Sequence, residues 1–285
     1  MNYRHAFHAG NFADVVKHLA LVSILLHLRR KDSAFAVIDT HAGRGLYDLR
    51  SEASLRTGEA ARGIERILGL LQAPETLTPA LRRYLDIVAS TGEGLYPGSP
   101  LIAAPLLRPQ DRLIAIEKHP EEAQALKAAL APFHNKALRS ECADGYARLN
   151  ALLPLPERRG VVLIDPPFES ADEFQRQARA LGEALKRFAT GIFILWFPIK
   201  SAGEAHAFSG EVMAAGVKRA LRIDVDIGSV DDAKDAKDRL SSAGLIIVNP
   251  PFGFADELQE ALSVVTPLLS AKSRADVRWL AGEES

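Results

Sequence analysis

The sequence is poor in cysteine, tryptophan and methionine, with one, two and two of them in 285 residues. A single thiol, Cys142, excludes an internal disulfide framework and a cysteine-rich zinc site, and it suits a reducing compartment. Net charge is nearly absent as well: 35 Lys and Arg face 36 Asp and Glu, a formal charge of −1. That balance excludes coating nucleic acid by bulk electrostatics and leaves room for a local basic face. Long apolar runs are missing too. Residues 191–199 are too short to cross a bilayer, which needs about 20 apolar residues. Residues 19–28, followed by Ala34-Phe35-Ala36, superficially resemble an export signal, but the basic block Arg29-Arg30-Lys31 falls between the two. The expectation is a soluble, cytoplasmic chain with no membrane association. Composition is otherwise average, with no repeat or low-complexity tract, which excludes disordered and fibrous architectures.

What is present is an alternation of short apolar runs and helical patterns. Candidate strands fall at 35–39, 113–117, 161–164, 191–196, 219–226 and 244–248, with a weaker one near 137–142. Near-continuous apolar runs suit strands covered on both faces, so the fold class is α/β, a doubly wound Rossmann-like sheet with helices on both faces. Ahead of the first strand, residues 11–30 carry Phe12, Val15, Val16, Leu19, Val22 and Leu26 at helical spacing, with Asn11 as N-cap. Asp39 and Glu117 end the first two large strands, and their separation exceeds what one crossover helix needs. The excess reads as a helical insertion, 52–93, with helices near 57–71 and 78–90 broken by Pro74 and Pro79. The main domain is then 1–51 and 94–285, with an N-terminal substrate-binding arm over 1–31.

The chemistry concentrates at strand ends. Asp39-Thr40-His41-Ala42-Gly43-Arg44-Gly45 lacks the third glycine of a dinucleotide fingerprint. It is similar to the D-x-x-x-G-x-G turn with which class I methyltransferases cradle S-adenosylmethionine; an ordinary strand-to-helix turn is the competing reading. Glu117 ends the second strand, where an acid accepts ribose hydroxyls, and Ala143-Asp144-Gly145 follows the third, where an acid and a small residue can bracket an adenine ring. Taken singly, each acid reads equally as a solvated loop residue; their order at successive strand ends favours the site.

The fourth strand runs into Asp165-Pro166-Pro167-Phe168. Two prolines hold a rigid turn, so the Asp165 carboxylate and the adjacent Pro166 carbonyl converge as two acceptors for a planar NH₂ group. Phe168 offers a face for a flat base. This tetrapeptide resembles the D/N-P-P-Y/F/W motif of amino-methyltransferases acting on adenine N6, cytosine N4 or a glutamine amide. A second copy, Asn249-Pro250-Pro251-Phe252, follows the last expected strand. That strand is expected to run antiparallel and point away from the cofactor edge, which makes 249–252 structural.

The segment from Tyr3 to His18 closely resembles the start of the RlmJ family, methyltransferases of an adenine N6 in 23S ribosomal RNA. The likeness continues through Asp39 to Gly43, Tyr96-Pro97-Gly98-Ser99-Pro100, Ala143-Asp144-Gly145, Asp165 to Glu169, Arg187 to Gly191 and Asn249-Pro250-Pro251. The resemblance implies S-adenosyl-L-methionine as donor, 23S ribosomal RNA, free or in early assembly intermediates, as substrate, and no obligate protein partner. It implies cofactor contacts from His18, His41, Ser99, Glu117, Asp144, Gly145 and Asp165, and catalysis by Asp165. Tyr3, His5, Lys17, Pro166 and Phe168 would contact the substrate; many relatives carry Tyr where Phe168 stands. No metal is required. Residues 1–31 hold Arg4, Lys17, Arg29, Arg30 and Lys31 against Asp14 alone, a basic surplus interleaved with Tyr3, Phe7 and Phe12 that suits looped RNA. The alternative for Lys17 and His18 is a solvent-facing pair near Asp14. His27, His119, His134 and His206 read as surface or packing residues, and the Asp-rich stretch 224–239 as a solvated loop. A methyltransferase of DNA adenine or of protein glutamine, and a non-catalytic RNA-binding protein, are the rival functions.

Overall fold

The computed structural model describes residues 5–133, 135, 137–228 and 240–282. Among the described residues, ten strands run in chain order: β1 Ala36–Asp39, β2 Leu46–Asp48, β3 Leu95–Pro97, β4 Arg112–Glu117, β5 Leu138–Cys142, β6 Gly160–Ile164, β7 Ile192–Pro198, β8 Ala220–Asp226, β9 Ser242–Val248 and β10 Arg274–Ala281. Eight form one sheet in the order β5-β4-β1-β6-β7-β9-β8-β10. From β5 to β7 neighbours are parallel; β9 is antiparallel to both β7 and β8, and β10 is antiparallel to β8.

The central strands explain the apolar runs. Along β6, Val161 and Leu163 join one core while Val162 and Ile164 join the other, all at most 1% exposed. Each face is sealed by helices, so alternate residues on both sides must be apolar. The chain order reverses between β1 and β6, the point in open α/β sheets where strand ends part and leave a ligand crevice.

The expected opening helix is helix α1, Phe12–Arg29. Asn11 caps it, its side-chain oxygen accepting the Asp14 N–H at 2.9 Å. But α1 is a core element, not an arm: Val15, Leu19, Val22, Ile24 and Leu25 are wholly buried. Lys17 and His18 are 4% and 1% exposed, so the solvent-facing alternative fails for both. The basic surplus also splits. Arg29, Arg30 and Lys31 sit at the far end of α1, about 18 Å along the axis from Lys17 at 1.5 Å per residue. Arg30 there pairs with Glu257, while Lys17 is enclosed by acids. The 1–31 surplus therefore does not form one continuous basic surface; Tyr3 and Arg4 lie outside the described residues.

The insertion departs from its expected form. Its second helix is present as Pro79–Thr91, but 57–71 is not one helix. Gly58 turns left-handed (φ 61°) to end the helix Glu52–Thr57, and Gly63 breaks the chain again against the Gly10 backbone. A two-stranded ribbon of β2 and β3, unforeseen in the sequence, joins the two ends of the 52–93 segment with Tyr47 opposite Tyr96. The edge strand β10 was also unforeseen, and Asp231 to Asp238 of the Asp-rich stretch lie outside the described residues.

Burial assigns α1 a large share of the stability. Leu19→Ala should lower the unfolding free energy by about 3 kcal/mol in urea titration. Arg29→Ala, at the exposed end, should change it by less than about 0.5 kcal/mol.

Candidate active site

A cleft opens at the carboxyl ends of β1, β4 and β6. Its walls are the turn after β1 (His41 to Gly43), the end of β4 (Glu117 to His119), Asp144 to Tyr146, Asp165 to Pro167, and Lys17 and His18 from α1. The structure thus brings together residues spread over most of the chain, among them every described site candidate except Phe168.

On one side, Glu117 ties the turns of two strands. Its Oε2 accepts the Gly43 N–H at 2.9 Å and its Oε1 accepts the His119 N–H at 2.7 Å. Both oxygens keep a further lone pair for ligand hydroxyls. Asp144 caps the helix Gly145–Leu152 by accepting the Ala147 N–H, and it also accepts from Lys118 Nζ at 3.0 Å. Burial alone would raise its carboxyl pKa; those two donors hold it below the usual value. Gly145 is obligatory, because a Cβ there would stand 2.0 Å from the Thr40 carbonyl oxygen. Behind the cleft wall, Ser99 donates to the buried Asp39 Oδ2 at 2.6 Å. Burial pushes the Asp39 carboxyl up to about 6, with nearby Asp165 adding to the effect and Ser99 opposing it.

On the other side lies a chain of charged groups. Lys17 Nζ donates to Asp14 Oδ1 at 2.7 Å and to Asp165 Oδ2 at 2.5 Å. Asp14 Oδ2 in turn meets His5 Nε2 at 3.0 Å and accepts the Gly10 N–H at 2.9 Å. Burial disfavours both charges, yet the charges of His5 and Lys17 hold the Asp14 carboxyl well below its usual range. The two aspartates likewise hold the Lys17 ammonium well above its own. Lys17 is thereby fixed as a cation against the Asp165 carboxylate.

His18 adds a third component. Its Nδ1 lies 2.7 Å from the Tyr96 hydroxyl, which lies 3.0 Å from that of Tyr84. Burial, assisted by the Lys17 charge, lowers the imidazole to about 3, so the ring is neutral. Its Nε2 is buried with no hydrogen-bond partner among the described residues, and the ring lines the cleft. A buried polar atom without a partner, on a residue that lines a cleft, is a candidate contact for a polar ligand group.

Sequence reasoning and structure part at several residues. The Phe168 ring is not in the cleft wall: it packs edge-on against Phe174 (4.9 Å) and Trp196 (5.6 Å), with its backbone left-handed at φ 50°. The ring expected to stack on a base is thus packed among aromatic side chains of the protein. His119, taken as a surface or packing residue, lines the cleft, and its Nδ1 has no partner among the described residues. His134 lies outside them. Asp14, Tyr96, Glu173 and Arg176 were missed. Glu173 accepts from the Tyr146 hydroxyl at 2.8 Å, and Arg176 lies over the Tyr146 ring. Asp14 was legible in part, three residues before Lys17 on one helix face. The second Pro-Pro-Phe copy stands away from the cleft, as expected. β9 runs antiparallel to β7 and pairs Val248 with Phe193, near the amino end of β7. Asn249 there donates to the Ala189 and Gly191 carbonyls, and Phe252 is 79% exposed.

Residues 32–281 match the family described as "Ribosomal RNA large subunit methyltransferase D, RlmJ". The chain is 34% identical to ribosomal RNA large subunit methyltransferase J of Haemophilus influenzae and 36% identical to the protein of that name from Escherichia coli. In each comparison, 99% of this chain and 100% of the relative are covered. A crystal structure of a Legionella pneumophila protein superposes with a TM-score of 0.85 at 32% identity, covering 95% of this chain and 98% of that one.

The neutral His18 carries a pH signature. Its folded pKa lies below the 6.5 of free imidazole, so the unfolded chain binds the extra proton more readily. Its contribution is complete above pH 6.5 and is lost as pH falls toward about 3. His18→Asn should therefore flatten the fall of the urea midpoint between pH 6.5 and 4; an unchanged slope would refute a buried neutral ring.

Proposed function

The chain belongs to the RlmJ family of ribosomal RNA large subunit methyltransferases, and on that premise we propose that it transfers a methyl group from S-adenosylmethionine to an adenine N6 of 23S ribosomal RNA, in the cytoplasm. The observation that carries the reading is the Asp165 carboxylate, set on a Pro-Pro turn at the switch-point cleft and held at one oxygen by a buried ammonium.

The cleft fits the donor. His18, whose Nε2 has no partner among the described residues, suits the amino-acid end, which carries both a carboxylate and an ammonium. Glu117 suits the ribose hydroxyls, and Asp144, Gly145 and His119 surround a place for the base. His41 and Ser99 complete the wall. When bound, the donor supplies an electrophilic methyl group on a positively charged sulfur. Among the described residues no helix is long and apolar enough to cross a membrane.

The protein's own part is placement. An adenine amine is a poor nucleophile because its lone pair is delocalised into the ring. Asp165 Oδ1 and the Pro166 carbonyl accept its two N–H groups, holding the nitrogen in position and favouring a pyramidal, more nucleophilic geometry. A neutral aromatic amine gives up a proton reluctantly. The proton therefore leaves after the N–C bond forms, when the nitrogen is cationic, and Asp165 is the adjacent acceptor. Lys17 prevents the carboxylate from swinging away, and Asp14 prevents Lys17 from doing so. His5, on the same chain of contacts, and Tyr3 before it are assigned to the RNA. Phe168, expected to stack on a base, packs against Phe174 and Trp196.

Tritiated methyl transfer tests the substrate class. Label should enter ribosomal RNA from cells that lack this modification; label confined to duplex DNA or protein would sink the reading. Asp165→Ala should lower kcat by about 10²–10⁴-fold with the fold intact, since Lys17 keeps Asp14. Asn249→Ala should leave kcat within about twofold.

A further inference from the structure

The insertion grips the segment that carries the charged chain. Thr57 Oγ1 donates to the Phe7 carbonyl at 2.5 Å, and the Ile64 N–H donates to the Gly10 carbonyl at 2.8 Å. A Cβ on Gly63 would stand 2.1 Å from that same Gly10 oxygen, so the two backbones are in direct contact. Between these contacts lies Glu59. Its carboxylate meets His8 Nδ1 at 3.0 and 3.1 Å and accepts from Asn11 Nδ2 at 3.0 Å.

Asn11 couples Glu59 to the start of α1. The same side chain that donates to Glu59 accepts the Asp14 N–H through its Oδ1. Glu59 thus fixes which way the Asn11 amide faces, and the amide fixes the first turn of α1. Gly10 is held from both sides, its carbonyl by Ile64 and its N–H by Asp14 Oδ2. Displacement of Gly10 or Asn11 moves Asp14, and through Lys17 it moves Asp165.

The geometry points to Glu59 as a positioning residue for the reaction: from the insertion, it sets the Asp14–Lys17–Asp165 chain through Asn11 and His8, so the insertion is a working part of the catalytic centre. This rests on the methyl-transfer reading above for its kinetic consequence, though not for its structural one. Glu59 itself is absent from the cleft wall and touches no reacting group.

The test compares Glu59→Ala and Glu59→Gln with the unaltered full-length chain. Glu59→Ala should lower kcat on ribosomal RNA at least tenfold, leave S-adenosylmethionine affinity within twofold, and speed hydrogen exchange of the Gly10 and Asp14 amides at least tenfold. Exchange in β1 and β6 should stay unchanged. Glu59→Gln keeps an acceptor for Asn11 and should return kcat to within threefold of the unaltered chain. Unchanged kcat in Glu59→Ala would overturn the proposal whatever the exchange shows. A fall in kcat matched by equal losses of cofactor affinity and global protection would overturn it too, as a merely structural role. Failure of the unaltered chain to methylate ribosomal RNA would defeat the functional reading alone, and exchange at Gly10 and Asp14 would still decide whether Glu59 sets the chain.

Discussion

The buried ammonium of Lys17, shared between Asp14 and Asp165, is the constraint on which the site depends. An ion taken out of water costs several kcal/mol, and only close, fully hydrogen-bonded partners repay it. Loss of the sole partner of a buried ion typically costs about 3–5 kcal/mol; Lys17 has two, so Asp14 still holds the cation when Asp165 is removed. The arrangement has a functional return. A carboxylate on an exposed loop would sample many rotamers, whereas Asp165 is tied to a helix that forms part of the core. Positional accuracy is what the transfer to a poor nucleophile demands.

Everything around this triad keeps it where the sheet parts. β1 and β6 are adjacent and parallel, so the turns that follow them, with His41 and Asp165, face one crevice. α1 crosses the sheet on one side with its apolar residues in the core and turns Lys17 and His18 to the cleft. The tyrosine ladder Tyr84–Tyr96–His18 ties the helix Pro79–Thr91 and the ribbon strand β3 to the same helix. Two unlike polar networks, one charged and one neutral, thus meet α1 at the adjacent residues Lys17 and His18.

Much of this was legible in the chain. Strand runs, the Asn11 cap, the order of Asp39, Glu117, Asp144 and Asp165 at strand ends, and the antiparallel placement of the second Pro-Pro-Phe copy all follow from periodicity and topology rules. What was not legible depended on three-dimensional neighbours. Residues 57–71 look helical because apolar spacing is respected, yet Gly63 is there to admit the Gly10 backbone, a contact no local pattern encodes. Phe168 looks available for stacking because its aromatic neighbours, Phe174 and Trp196, come from a helix and another strand. The short ribbon β2–β3 spans too few residues to show alternation. β10, by contrast, alternates Ala275, Val277 and Trp279 with charged residues, a period-two signal that was present and overlooked.

The placement of α1 has a consequence for the order in which the molecule can be completed on the ribosome. α1 leaves the exit tunnel early, yet it packs against the late helix Phe254–Leu269 and reaches Glu257 through Ser23 and Arg30. Asp165 follows Lys17 by 148 positions. Until those partners arrive, a helix bearing a cation and a wide apolar face must wait in water. Asp14, one turn away, is the counterion that Lys17 brings with it, so the nascent helix never carries its cation alone. Asp165 then joins a pair that local sequence has already made, and the charged centre is finished by docking one carboxylate onto it.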